Sequence, residues 1–347
     1  MHGTIYEFET LPRFRRHGPE LLRRGPSYVP RGRAVPLVGI VRNRRSHRNK
    51  ESAAELASCS NILTQTPESR EDLRASLEMF AARGIDYLVI DGGDGTVRDV
   101  LTCGADVFGE TWPTLAVLPK GKTNALAVDI GLPNHWSLSE ALVAARKGRV
   151  VHRRPLRITS AEADAGSVQG FLLGAGVFTI ATEAGQAAHR RGAFNSFAVG
   201  LTILWVLIQT LFGRAGNPWR ASTRMRLRDR RSRRELPHSG RGDLDKRFLT
   251  IATTFESFPL GLRPFGRNVP EGLKLAVLDA PVRWILMLLP AIMVGFFARF
   301  IGRAGVHRFL AEAIDFELDE AFILDGESFP GGRYILEEGP QLTFVVP

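Results

Sequence analysis

Apolar and polar positions come in short alternating blocks along the first half of the chain. Leu37-Val38-Gly39-Ile40-Val41 is a continuous apolar run, the pattern of a strand buried on both faces of a parallel sheet. A polar loop, Asn43 to Lys50, follows it. Asn61 to Thr66 reads as a second, weaker strand, and Pro67 suits the first turn of a helix with Thr66 as its N-cap. In that helix Leu73, Leu77 and Phe80 share one face, and Gly84 stops it. Tyr87-Leu88-Val89-Ile90 is a third strand, Val97 to Leu101 opens a second helix, and Leu115-Ala116-Val117-Leu118 is a fourth strand. Ser137-x-x-Glu140 forms a capping box before Ala141-Leu142-Val143, and Gly148 ends that helix. Strands separated by helices predict βαβ units and a parallel sheet, in which ligands bind beyond the carboxyl ends of the strands. The loops after Val41, Thr66, Ile90 and Leu118 are therefore the places to look.

From Val150 the alternation with helices fades. Gln169 to Gly174, Arg224 to Arg228, Phe248 to Ala252 and Leu273 to Val277 read as strands, which predicts a β-rich second domain. Residues 224–228 alternate Arg with apolar side chains, one face charged and one buried, and Arg230, Arg231, Arg233 and Arg234 carry the charge into a turn. Two readings stay open for this run: a solvated hairpin, or a docking patch for anionic lipid. Ser196 to Phe212 and Trp284 to Ala298 contain no charged residue, yet each falls short of the ~20 apolar residues of a membrane span. With Arg190, Arg191 and Arg214 around the first, and Arg283, Arg299 and Arg303 around the second, they suit surface or acyl-cleft helices. Buried core helices are the equal alternative.

With 347 residues, two domains are the natural expectation. At 44% hydrophobic and 24% charged, disorder throughout is excluded. Two cysteines, Cys59 and Cys103, exclude a disulfide scaffold and a thiolate-rich zinc site, and the scattered histidines lack ligand spacing. A net charge of +10 favours an anionic partner. Met1 to Pro30, with Arg13, Arg15, Arg16, Arg23 and Arg24, reads as a loosely ordered basic arm without the apolar segment of a secretory signal.

The strongest chemical signal is Asp91-Gly92-Gly93-Asp94-Gly95-Thr96, set between the third strand and the second helix. Glycines let backbone amides approach a phosphate, and the helix N-terminus adds partial positive charge. Asp94 in that loop suits Mg²⁺ binding or acceptance of a hydroxyl proton. The plain alternative is a tight turn whose Asp caps a helix.

Gly92-Gly93-Asp94-Gly95-Thr96 resembles the GGDGT signature of the diacylglycerol kinase catalytic domain family, which includes bacterial lipid kinases and sphingosine kinases; NAD kinases share it. Leu118-Pro119-Lys120-Gly121-Lys122-Thr123-Asn124-Ala125-Leu126-Ala127, followed by Gly131-Leu132-Pro133, resembles the lipid kinase pattern LPxGTxNDFA…LGIP, with Lys122 in place of Thr and Ala125 in place of Asp. Leu324-Asp325-Gly326-Glu327 resembles the family's DGE element, and a terminal strand follows it. Asn43 and Ser46 stand at the first phosphate loop, where Arg44 and His47 replace the family's Pro and Gly. Pro270-Glu271-Gly272-Leu273 resembles an element, P…DGxLD, that holds a structural Mg²⁺, but Glu271 replaces the Asp and Lys274 follows the Leu.

The resemblance implies an α/β chain of two domains. A Rossmann-like nucleotide domain would span about 34–151 and regain 338–347. A sandwich-like, β-rich lipid domain would span 152–337, with the basic arm, 1–33, ahead of both. It implies a transferase that moves the γ-phosphate of ATP, with Mg²⁺, to the hydroxyl of a diacylglycerol- or sphingoid-type lipid in phospholipid metabolism. Gly92, Gly93, Gly95 and Thr96 would hold the phosphates, with Asn43, Ser46, Thr66 and Lys122 lining the same cleft. Asp94 would serve Mg²⁺–ATP or the reacting hydroxyl, and Glu327, with Asp325 beside it, would accept the proton. The expected setting is cytoplasmic, peripheral to an anionic inner membrane face, with no nucleic-acid partner. Two alternatives accompany this reading: an NAD kinase, and a membrane-binding regulator that keeps nucleotide or lipid affinity without turnover.

Overall fold

The computed structural model describes residues 5, 28, 33–46, 60–162, 166–190, 209, 217–266, 269–296 and 299–347. The chain divides into two compact units, Met1–Arg157 with Ala163–Phe171 and Gly339–Pro347, and Ile158–Glu162 with Leu172–Glu338. His47, Cys59, most of the basic arm and the apolar stretch 196–212 except Gln209 lie outside the described residues.

The first unit is built on a sheet of β1 (Val38–Arg42), β2 (Ile62–Gln65), β3 (Tyr87–Gly92), β4 (Thr114–Pro119), β5 (Val150–Arg153) and β18 (Leu342–Val345), in the order β2-β1-β3-β4-β18-β5. The pairs from β2 to β18 are parallel, and β5 runs antiparallel to β18. Val38, Ile40, Leu88, Val89, Ile90 and Leu115 are fully buried, as strands covered on both faces require. Helix α1 (Arg70–Arg83) buries Leu73, Leu77 and Phe80, and Gly84, at φ +61, ends it. Its N-cap is Ser69, whose hydroxyl accepts the Asp72 N–H, and not Thr66. A hydroxyl caps a helix only where it reaches an N–H two or three residues on, and Pro67 lies too early for that helix. Helix α2 (Asp94–Phe108) begins three residues before Val97, so a single residue, Gly93, separates it from β3. The short α3 (Ala125–Asp129) and α4 (Leu138–Arg146) follow β4, and the expected capping box of Ser137 and Glu140 is formed on α4.

The described residues of the basic arm are not loose. The Ile5 N–H donates to Asp99 Oδ2 at 2.6 Å, and Asp99 also accepts from Arg98 at 2.8 Å, both side chains being wholly buried in α2. The Tyr28 hydroxyl donates to the Ile85 carbonyl, and its ring meets Phe108 edge-on. Charge in the surrounding sequence hid these two apolar anchors.

The chain leaves along β6 (Leu156–Ser160) and comes back through β7 (Ser167–Gly170), whose Gln169 N–H donates to Thr102 of α2 at 3.1 Å. In the second unit, β9 (Thr223–Asp229) pairs antiparallel with β10 (Lys246–Arg247) and with β14 (Ala313–Leu318), which pairs with β17 (Gly332–Glu338). The second sheet there has the order β13-β12-β11-β8-β15-β16, formed by β8 (Leu172–Gly176), β11 (Leu249–Thr253), β12 (Leu273–Leu278), β13 (Val306–Ala311), β15 (Phe322–Leu324) and β16 (Glu327–Phe329). Among the described residues, helices α5 (Val177–Arg190), α6 (Arg283–Met293) and α7 (Arg299–Arg303) accompany the strands. Asp279, wholly buried beyond β12, pairs with Arg247 and accepts from the Ser239 N–H at 2.8 Å and His307 Nε2 at 2.9 Å. Burial would push its carboxyl up, but His307, Ser239 and Arg247 together hold it well below the usual carboxylate range.

β9 alternates buried Thr223, Met225 and Leu227 with exposed Arg224, Arg226 and Arg228, as its sequence predicts. Arg224 pairs with Asp245 at 2.9 Å, Arg228 with Glu235 at 3.8 Å, Arg230 with Asp315 at 2.8 Å and Arg231 with Glu312 at 3.1 Å. Much of the Arg run is thus charge-matched by its own neighbours, which favours the solvated hairpin. Among the described residues no helix is long and apolar enough to cross a membrane.

Candidate active site

Three loops leave the carboxyl ends of β1, β3 and β4, and side chains from each hold the others. The Asn43 N–H donates to the Asp91 carbonyl at 3.1 Å, and its Nδ2 donates to Thr96 Oγ1 at 2.9 Å. Asn43 Oδ1 accepts the Arg45 N–H at 2.9 Å, which folds the loop back on itself. The Ser46 hydroxyl donates to the Lys120 carbonyl at 3.1 Å, joining the β1 loop to the β4 loop. The Lys120 N–H donates to the Gly92 carbonyl at 3.1 Å, joining β4 to β3. At the foot of these loops Arg42 pairs with the buried Asp91 at 3.0 Å, so the acid ahead of the glycines is neutralised.

The glycines serve contact. A Cβ on Gly93 would stand 2.7 Å from Gly121 Cα, and one on Gly121 would stand 2.7 Å from Gly93 Cα. The two backbones touch directly, which only a pair of glycines permits. A Cβ on Gly92 would fall 2.3 Å from Thr96 Oγ1. Asn124, at φ +49, holds the turn of the β4 loop: its Oδ1 accepts the Gly121 N–H at 2.8 Å and its Nδ2 donates to the Gly121 carbonyl at 3.0 Å.

Asp94 sits in the first turn of α2 and is half-buried. Its Oδ2 accepts the Ala125 N–H at 3.0 Å and its Oδ1 the Leu126 N–H at 3.2 Å. It therefore caps a helix, α3, that belongs to the neighbouring loop. Burial raises the Asp94 pKa, against the lowering effect of the backbone amides of Ala125, Leu126 and Asn124. The family's Asp in the LPxGTxND pattern is absent at Ala125, but the amide there still serves the loop.

The structure thus joins Asn43, Ser46, Gly92, Gly93, Asp94, Thr96 and the Lys120–Ala125 segment in one bonded network. Asn43, Ser46 and Thr96 are buried and spend their side-chain groups on the network itself, whereas Lys122 is exposed and Gly95 half-exposed. Thr66, half-buried beyond β2, has no hydrogen bond into that network. The sequence alone marks Gly121 and Asn124 only as letters of a pattern, and does not mark Arg42 or Asp91 as site residues. The polar pair at the end of β1 and β3 was the signal for the latter.

In the second unit Asp325 and Gly326, at φ +45 and +82, form the two-residue turn between β15 and β16, where Leu324 pairs with Glu327. Asp325 Oδ1 accepts the Leu172 N–H at 2.9 Å, tying the turn to β8. Glu327 is half-buried at the start of β16.

For metals, no group of three or more His, Cys, Asp or Glu among the described residues is placed to hold an ion. At the Pro270–Leu273 element the Lys274 side chain is buried, with Nζ 3.4 Å from the Gly272 carbonyl, and Glu271 is exposed. A buried ammonium beside that carbonyl does not fit a divalent cation. Asp94 offers a single carboxylate, which fits a Mg²⁺ that arrives on phosphates, since that ion keeps one or two carboxylates and takes the rest from substrate and water.

Residues 41–157 match the family model of the diacylglycerol kinase catalytic domain. "Probable lipid kinase YegS" of Shigella flexneri is 34% identical over 68 residues, 20% of this chain and 22% of that protein. The protein of the same name from Escherichia coli O1:K1 / APEC gives the same identity and shares. The aligned stretch thus spans under a quarter of these curated relatives. A crystal structure of a diacylglycerol kinase from Bacillus anthracis str. Sterne superposes with a TM-score of 0.61, over 91% of this chain and 98% of that one, at 17% identity. That likeness shows a shared mixed α/β fold. The resemblance to the diacylglycerol kinase catalytic domain is shown over residues 41–157.

Proposed function

We propose, from the diacylglycerol kinase catalytic domain that residues 41–157 match, that this chain is an ATP-dependent lipid kinase. It transfers the γ-phosphate to the hydroxyl of a diacylglycerol- or sphingoid-type lipid. The observation that carries the reading is the bonded set of three loops at the carboxyl ends of β1, β3 and β4, closed by the contact of Gly93 on Gly121. Backbone amides without intervening side chains suit phosphate oxygens, and the N-terminus of α2 favours their charge.

In this reading Gly92, Gly93, Gly95 and the exposed Lys122 face the nucleotide phosphates, Thr66 lines the same cleft, and Asn43, Ser46 and Thr96 fix the loops. Lys122 replaces the family's Thr hydroxyl with a point charge, a chemistry phosphate accepts. Mg²⁺, bound with ATP near Asp94, would neutralise phosphate charge. Asp94 acts mainly by position, holding the β3 and β4 loops in register through α3. Glu327 takes the proton of the lipid hydroxyl as its oxygen bonds to the γ-phosphorus and the bond to the β–γ bridging oxygen breaks, releasing ADP. Asp325 sets the turn that presents Glu327. A long-chain acceptor stays in the bilayer, so the protein works peripherally, at an anionic inner membrane face.

The test is incubation with γ-labelled ATP, Mg²⁺ and a panel of lipids in mixed micelles, with NAD as a parallel acceptor. Label in a lipid supports the reading. Label in NAD alone makes the chain an NAD kinase, and label in nothing, with ATP bound, leaves the regulator reading in its place.

A further inference from the structure

We infer that the outward face of α6, with Phe300 of α7, is the surface that seats this protein on an anionic bilayer. This deepens the peripheral placement proposed for the kinase. It stands on its own observations.

After Arg283, helix α6 is apolar all round. Its inward side chains, Ile285, Leu286 and Ile292, are buried in a cluster with Phe248, Leu278, Ile301, Ala304 and Val306. An ordinary surface helix turns polar residues outward. This one presents Trp284, 37% exposed, Met287, 64%, and, just beyond its last turn, Val294, 56%. Phe296 follows at 46%, and Phe300 of α7 at 50%, its ring centroid 6.1 Å from that of Trp284. The exposed positions therefore form a neighbouring set, and contiguous exposed apolar surface marks an interaction site.

Charge selects the partner. From Ala280 to Ala311 the sequence has no Asp or Glu, while it has Arg283, Arg299, Arg303 and Arg308. Arg283 and Arg303 are exposed beside the apolar face, and Arg220 lies close enough to Arg283 for the two charges to repel. Apolar side chains with an aromatic at their edge and arginines around them suit the headgroup–acyl boundary of a membrane with anionic lipid. The Arg run of β9 and the turn after it makes the contrast: Arg224, Arg228, Arg230 and Arg231 are matched by Asp245, Glu235, Asp315 and Glu312. The apolar face, and not that run, carries the membrane contact.

Flotation with vesicles of phosphatidylcholine alone, or mixed with phosphatidylserine, tests this without any turnover, so it can fail while lipid phosphorylation stands, and the reverse. Wild-type protein floats with the anionic vesicles. Joint replacement Trp284→Ser, Met287→Ser and Phe300→Ser lowers partitioning on the order of tenfold or more. Arg283→Ser with Arg303→Ser removes the preference for anionic over neutral vesicles. Arg230→Ser, Arg231→Ser, Arg233→Ser and Arg234→Ser together leave flotation unchanged. Met287→Lys alone, at the most exposed position, serves if the triple variant loses its fold, and weakens insertion. Wild-type flotation that the triple variant or Met287→Lys fails to reduce overturns the inference. So does loss of flotation in the β9 Arg variant alone. Absence of wild-type flotation, with a dimer in solution that the apolar substitutions dissolve, assigns the face to a second copy of the chain instead.

Discussion

Gly93→Ala perturbs the proposed phosphate site through a single methyl. The Gly93 backbone is extended, φ −98 and ψ −171, which alanine adopts freely, so no backbone strain enters. The methyl would lie 2.7 Å from Gly121 Cα and 3.2 Å from Gly121 N. Carbon pairs rest at about 3.5–4.0 Å, so the two loops must part by roughly 1 Å. The strain amounts to about 1–3 kcal/mol, the range for overfilling a packed site. Turnover should suffer in its own right, because a ~1 Å misplacement of positioning groups costs on the order of 10²-fold. That factor is about 2.7 kcal/mol of barrier. The shift reaches Asp94 in the next residue, and through it the amides of Ala125 and Leu126. The assay is γ-phosphate transfer across a range of ATP concentrations, with thermal unfolding alongside. Gly121→Ala should reproduce the loss from the other side. Gly302→Ala, where a Cβ meets nothing within 4 Å, should leave both rate and melting temperature intact. A Gly93→Ala protein that transfers phosphate at the wild-type rate would refute the claim that this contact sets the loops.

Asp94→Asn puts an NH₂ group against one of the two amides that the carboxylate now accepts; α3 should loosen at about 1–2 kcal/mol, and turnover should fall with it, as unfolding and rate measured on the same sample will show. Asp279→Asn leaves Arg247 buried without its counter-charge and should cost about 3–5 kcal/mol at neutral pH. Because the folded pKa of Asp279 is depressed, its contribution is complete above the ordinary carboxylate range, about pH 4, and is lost as pH falls through the folded value. Denaturant titrations of wild type and variant should therefore converge in acid, and parallel curves would contradict the assignment. Asp325→Asn keeps both the left-handed turn and the acceptor for the Leu172 N–H, so turnover should stay near wild type, whereas Glu327→Gln should lose about 10²-fold or more with little change in ATP affinity. Equal losses in the two variants would return Asp325 to the chemistry.

The sequence announced what local patterns determine. Continuous apolar runs located β1, β3 and β4, the Ser137–Glu140 pair located the start of α4, and alternating Arg located β9 and its faces. What it concealed depends on partners distant along the chain. Asp94 caps α3 across roughly 30 residues, which no spacing rule reports. Ile5 and Tyr28 are anchored 94 and 57 residues away, so a window of sequence around them contains neither partner. The N-cap of α1 fell on Ser69 because hydroxyl reach, and not the nearest Pro, decides where a helix starts. In the second half, the matching of the Arg run by acids on β14 and its neighbours appears only once the strands are in register.

The position of β18 has a consequence for synthesis. It lies inside its sheet, between β4 and β5, and β5 is the outer strand of that order among the described residues. During translation β5 emerges roughly 190 residues before its partner, a wait of roughly 10–40 s at ribosomal rates. Through that interval β4 presents one bare edge, the kind of surface that recruits strands from other nascent chains. The first unit therefore closes only after the second has been made, when Leu342–Val345 arrives to fill the gap between β4 and β5.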